Sequence, residues 1–189
     1  MIQNFFKSSE NADKIIFPDI HNKIRVKKNK VFKGLKYFLI RDKILNIKKI
    51  NQNKNLAVTF GGSDPYNLTI QILKILKKIK WQEKTKFYVG EDYSEFQKNK
   101  LIHEIKKHKN FYISKFNIKE ISKSKLIISS FSTFSYEMAY LRRINLVLLL
   151  RKNIKIPSNH FFKNTINLGY YTNITSEMIK NSLYRCWKL

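Results

Sequence analysis

The stretch Leu56-Ala57-Val58-Thr59-Phe60-Gly61-Gly62-Ser63-Asp64-Pro65-Tyr66-Asn67-Leu68-Thr69 decides how this chain is read. Leu56 to Phe60 is a short apolar run with β-branched and aromatic members that stops at a double glycine, the pattern of a buried strand ending in a tight loop. A helix is expected to begin almost at once. Asp64 has the side chain of an N-cap, and Pro65 suits a first helical position because it has no N–H to leave unpaired. Leu68, Ile72, Ile75, Leu76 and Ile79 then recur on one face. The unit is strand, Gly-Gly-Ser, helix. Glycines let a backbone approach a ligand closely, and the N–H groups of a first helical turn carry partial positive charge, so the unit suits a phosphate or diphosphate. The same Gly-Gly also reads as an ordinary strand-to-helix turn, and it matches neither the P-loop spacing nor G-x-G-x-x-G.

Outward from this stretch, apolar runs alternate with amphipathic ones. Phe87-Tyr88-Val89-Gly90 reads as a second strand with a glycine stop. Residues 95–107 read as a helix with Phe96, Leu101, Ile102 and Ile105 on its apolar side, residues 110–114 as a third strand, and residues 118–122 as a short helix. Leu126-Ile127-Ile128 is the fourth strand, followed by a helix over 134–141 and a wholly apolar fifth strand over 146–150. Helices are expected over 160–167 and 176–187, the latter with Ser176 as N-cap. This succession implies an α/β fold, a Rossmann-like parallel sheet with helices on both faces. Ligands in such sheets bind at the carboxyl ends of the strands. Gly61-Gly62-Ser63 and the Ser129 to Ser135 loop both fall on that edge, so the two are expected to face one crevice.

Residues 1–50 do not read as a self-sufficient domain, and the main domain is expected over 51–189. Lys14-Ile15-Ile16-Phe17-Pro18 resembles a short strand closed by proline, and Val31 to Arg41 reads as a connector between domains.

The 189 residues can bury a real core, and 43% hydrophobic content excludes a disordered chain. The net charge of +25 is mostly lysine scattered along the sequence. Arginine, which makes the bidentate contacts of base recognition, is scarce, so no specific nucleic-acid partner is expected. Peripheral attraction to anionic membrane surfaces follows from the charge. The lone Cys186 allows no internal disulfide and no zinc cluster, and the histidines lack metal-ligand spacing, so neither metal nor cofactor is expected. His103 and His108 read as solvated positions on a lysine-rich helix. With no long apolar span and no leader pattern, the protein is expected to be cytoplasmic.

Glu137, three to four residues after Ser132 and Thr133, has two readings. It is either a capping-box partner reaching back to a free N–H, or a carboxylate accepting hydrogen bonds from a ribose diol. Arg142-Arg143 reads as a solvated helix end. No nucleophile stands with an anchored base, so the residues alone give a nucleotide-like binding domain and no catalyst.

Several of these motifs occur in the order of a known family. Gly34-Leu35-Lys36-Tyr37-Phe38-Leu39-Ile40-Arg41, then Val58-Thr59-Phe60-Gly61-Gly62-Ser63-Asp64-Pro65 and Asn67-Leu68-Thr69, then Ile128 to Glu137 and Asn159-His160 ahead of Asn167-Leu168-Gly169, resemble the linker and second domain of PseG-type enzymes. These are UDP-sugar hydrolases of pseudaminic acid synthesis, similar to the spore-coat protein SpsG and, more distantly, to MurG and the C-terminal domain of family 28 glycosyltransferases. The resemblance implies the C-terminal half of a GT-B fold that holds a UDP-sugar. Gly61, Gly62, Ser63, Ser132 and Thr133 would line the diphosphate, Glu137 would hold the ribose, and Arg41 and Asn159 would contact substrate. It also implies hydrolysis without a metal, assisted by a histidine of an N-terminal domain. That domain has almost no counterpart here, so a separate chain is expected to supply it; the alternatives are a two-chain glycosyltransferase subunit and a non-catalytic remnant. Phe131-Ser132 stands where the family has Gly-Gly, which implies weaker backbone approach to phosphate. Arg142-Arg143-Ile144 replaces a Gly-Leu-Pro, and His160 replaces a glutamine.

Overall fold

Six parallel strand pairings are formed among the described residues, one near the N-terminus and five in the larger part of the chain, and parallel neighbours need a crossover connection instead of a tight hairpin. The computed structural model describes residues 13–17, 31–34, 37–47, 51–152, 156 and 160–188, which fall into two units divided between Asp42 and Lys43. In the first unit β1 (Ile15–Phe17) pairs in parallel with β2 (Val31–Lys33), and the Phe32 ring meets Tyr37 edge-on at 5.5 Å. The start of the expected connector is therefore a strand. A single helical turn, α1 (Asp42–Leu45), follows Arg41.

In the second unit the alternation of apolar runs folds as expected, into a parallel sheet. Its strands are β3 (Asn53–Thr59), β4 (Thr85–Val89), β5 (Phe111–Lys115), β6 (Ser124–Ser130), β7 (Asn145–Leu149) and β8 (Thr165–Tyr170), in the order β5-β4-β3-β6-β7-β8. The helices are α2 (Leu68–Lys78), α3 (Glu95–Ile105), α4 (Ile118–Ile121), α5 (Thr133–Tyr140) and α6 (Ser176–Trp187). The chain winds from β3 outward through β4 to β5, then returns to β6 and winds the other way. Right-handed crossovers in opposite directions put α2 and α5 on opposite faces, and β3 and β6 become the switch point.

Register divides the side chains accordingly. Val58 pairs with Phe87 and Ile128, and Ile128 with Leu146, so these residues share one face. There they pack with Ile72, Leu73 and Leu76 of α2, Leu101 of α3 and Leu183 of α6. Truncating one of these, as in Leu76→Ala, costs about 2–5 kcal/mol. The opposite face is smaller and more polar: Ala57, Thr59, Ile127, Ser129 and Asn145, all buried.

Three expectations are corrected. Residues 160–167 are not a helix: a 3-10 turn at His160–Phe162 leads into β8, the sixth strand. Its Thr-Ile-Asn start favours extended backbone, and Asn167 Oδ1 accepts the Gly169 N–H at 2.8 Å where the register with β7 shifts. On α3 the buried stripe is Leu101 and Ile105, with Phe96 76% exposed and Ile102 also exposed. The N-cap of α6 is Thr175, whose Oγ1 accepts the Met178 N–H at 3.2 Å, in place of Ser176.

Candidate functional site

Two loops leave the sheet side by side at the switch point, one after β3 and one after β6, where Thr59 and Ser129 are register partners. In the first loop Gly61 has φ +85, and a Cβ there would meet nothing within 4 Å. Gly90 is a glycine because of packing against backbone, whereas at Gly62 only the exposed Asp92 side chain stands in the way. A Cβ on Gly62 would lie 2.7 Å from Asp92 Oδ2, and one on Gly90 would lie 2.3 Å from Gly62 O and 2.6 Å from Gly61 O. The loop after β3 thus rests directly on the end of β4. Gly61, Gly62 and Ser63 are exposed at the carboxyl edge.

The start of α2 differs from the expectation. Asn67, with φ 52, takes the N-cap position, and the helix begins at Leu68, so Pro65 lies outside it. Asp64, only 2% exposed and with φ 42, reaches into the first turn from outside: its Oδ1 accepts the Leu68 N–H at 2.9 Å and its Oδ2 the Thr69 N–H at 2.8 Å. The Tyr93 hydroxyl donates to Asp64 Oδ2 at 3.4 Å and stands 2.7 Å from Thr69 Oγ1. Burial and the adjacent carboxylate push the Tyr93 phenol well above its usual range. The N–H groups expected to meet a phosphate here are already held by a fixed negative charge.

The second loop is arranged differently. Ser132 occupies the N-cap position of α5, and no acidic residue lies in the first turn. Ser135 Oγ accepts the Ser132 N–H at 3.3 Å and donates to Ser130 O at 3.1 Å, while the Ser135 N–H reaches Ser132 O at 2.9 Å. Ser135, not Glu137, closes the capping box. The N–H groups of Thr133 and Phe134 make no hydrogen bond among the described residues, and Ser132 and Thr133 are exposed. Beneath α5, Ser129 Oγ donates to Asn145 Oδ1 at 2.9 Å, while the buried Thr59 Oγ1 and Asn145 Nδ2 have no partner among the described residues. Glu137 is wholly buried one turn further in.

Aromatic rings flank this helix end. Phe134 meets Phe116, just past β5, at 6.1 Å. The Phe131 ring packs 5.8 Å from both Tyr136 and Phe162, so this side chain is taken up in an aromatic cluster. Its N–H donates to Leu148 O at 2.9 Å.

The structure therefore brings Gly61, Gly62, Ser63, Ser132 and Thr133 to one edge and encloses Glu137. Arg41 is exposed in the first unit, and Asn159 lies outside the described residues, as does His21. His108 lies beyond α3, stacked on Phe111 at 5.2 Å. Arg142 is exposed with φ 55, and Arg143 Nε donates to Leu141 O at 3.1 Å. Asp64 was legible as a cap in the sequence, but not its burial beside Tyr93, a contact across 29 positions. Among the described residues no group of three or more His, Cys, Asp or Glu could hold a metal ion, and no helix is long and apolar enough to cross a membrane.

No protein-family model and no curated protein matches the chain. Solved structures share its fold. A UDP-GlcNAc 2-epimerase of Methanocaldococcus jannaschii, in complex with UDP-GlcNAc and UDP, aligns over 87% of this chain and 50% of its own, at 15% identity and TM-score 0.54. MurG of Acinetobacter baumannii aligns over 77% and 46%, at 15% identity and TM-score 0.52. The Escherichia coli heptosyltransferase WaaC with ADP-2-deoxy-2-fluoro heptose aligns over 79% and 47%, at 13% identity and TM-score 0.50. The fold is that of a Rossmann-like half of a GT-B protein, and the chain spans about half the length of these structures.

Proposed function

We propose that residues 43–189 form the nucleotide-sugar-binding lobe of a UDP-sugar enzyme. The observation that carries it is the start of α5: a hydroxyl-bearing helix N-terminus, with no acidic residue in its first turn, at the switch point of a parallel sheet, the place where such sheets bind ligands. The diphosphate is assigned to the Thr133 and Phe134 N–H groups with the Ser132 and Thr133 hydroxyls, and the exposed Gly61-Gly62-Ser63 backbone faces it from the neighbouring loop. By the motif resemblance Glu137 is assigned to the ribose and Asn159 to the rest of the substrate. The quoted motifs support a PseG-like hydrolase as the specific activity, with water attacking the anomeric carbon and UDP leaving. The base for that step is assigned to a complementary lobe.

A second reading, a folded domain without ligand, is favoured by one feature: the Asp64 carboxylate already fills the positive end of α2. Calorimetric titration with UDP separates the two. The nucleotide-binding lobe gives a Kd in the micromolar to millimolar range, about −4 to −8 kcal/mol. Thr133→Val and Glu137→Ala weaken that binding in samples that remain folded. No heat from folded wild-type protein at millimolar UDP would leave the ligand-free reading.

A further inference from the structure

Gln97, the third residue of α3, uses its side-chain amide in two directions. Its Oε1 accepts the Ser94 N–H at 2.9 Å and the Ser94 hydroxyl at 3.1 Å, while Ser94 Oγ accepts the Gln97 N–H at 3.2 Å, which makes a capping box. Its Nε2 faces the loop after β3, with Ser63 O at 3.2 Å, Asp64 O at 3.1 Å and Asn67 Oδ1 at 3.1 Å. Those acceptors lie in a segment with three left-handed residues, Gly61 (φ 85), Asp64 (φ 42) and Asn67 (φ 52), two of them not glycine. Such backbone persists only where the surroundings hold it.

We infer that Gln97 is a positioning residue that ties the Gly61 to Asn67 loop to the start of α3 and presets the backbone offered to ligand. The ligand part rests on the nucleotide site proposed above. Glutamate at this position separates the two uses of the amide. Its carboxylate still accepts the Ser94 N–H, so the capping box survives, but it has no N–H to give and turns negative charge toward three oxygens.

The test is amide hydrogen exchange of wild-type protein and Gln97→Glu without ligand, followed by UDP titration of both. Opening of the loop frees the Leu68 and Thr69 N–H groups from Asp64. Their exchange is expected to accelerate up to about tenfold, and the UDP Kd to rise roughly three- to tenfold, while Leu101 and Ile105 of α3 keep their protection. Wild-type exchange rates at Leu68 and Thr69 in the variant would overturn the inference, and so would equal acceleration along α3, which would mean that only the helix cap had been lost. If wild-type protein takes up no UDP, the nucleotide assignment fails, and the exchange comparison still decides whether Gln97 holds the loop.

Discussion

The two helices that begin at the switch point start in opposite ways. At α2 the first-turn N–H groups are met by the buried carboxylate of Asp64, itself backed by Tyr93, and the loop is pinned by Gly90 and Gln97. At α5 the first turn has hydroxyls, no acid, and two N–H groups without an acceptor among the described residues. A helix N-terminus attracts anions only while its N–H groups remain available. On the proposed reading the α2 end is structural and the α5 end binds the ligand. Substitutions at the first should therefore act mainly on stability and reach affinity only through the loop, and substitutions at the second should move affinity directly.

The largest effect is expected at the packing that holds the first loop. Gly90→Ala places a methyl group 2.3–2.6 Å from the Gly61–Gly62 backbone, which cannot yield as a side chain could, and is expected to destabilise by about 3 kcal/mol in urea denaturation. A loss under about 0.5 kcal/mol would mean that the two loops are not locked together. Next is Asp64→Ala, which removes the acceptor of two backbone N–H groups and is expected to cost about 2 kcal/mol by the same measurement. Thr133→Val keeps the shape and removes an exposed hydroxyl. It should change stability by no more than about 0.5 kcal/mol and weaken UDP roughly tenfold in calorimetry. Equal stability losses at Asp64 and Thr133 would erase the distinction between the two ends.

The smallest effect at neutral pH concerns buried phenols. Burial, with the Glu120 carboxylate nearby, pushes the Tyr88 phenol up from 10.0 to about 12, and Tyr93 shifts in the same direction beside Asp64. A raised folded-state pKa gives stability that is complete below pH 10.0 and lost as pH rises through about 12, so thermal unfolding should be flat toward neutral pH and fall in that alkaline window. Ultraviolet titration of the folded protein should show phenols that ionise only above the usual tyrosine range, Tyr88 and Tyr93 among them.

Much of this architecture was legible. The strand ending at Gly61, the alternation after it, and the meeting of two loops at the carboxyl edge follow from local patterns of two and 3.6 residues. What escaped depends on contacts distant in sequence. Asp64 has the side chain of a cap, but its place outside the helix rests on left-handed Asn67 and on Tyr93 behind it. Gly90 reads as a strand stop, yet its space is filled by Gly61 and Gly62 of the neighbouring loop. Residues 160–167 carry enough apolar side chains for a helix, whereas pairing with β7 makes an edge strand of their second half and beyond. Candidate site residues were nameable from resemblance, but the contrast between the two helix ends was not, because a single carboxylate, Asp64, decides it.

The most direct measurement is an amide chemical-shift titration of the whole chain with UDP. The account predicts that the largest shifts fall on Thr133 and Phe134 and saturate with the calorimetric Kd, with Leu68 and Thr69 nearly still behind Asp64. Saturable shifts centred on Leu68 and Thr69, with the start of α5 unmoved, would contradict it.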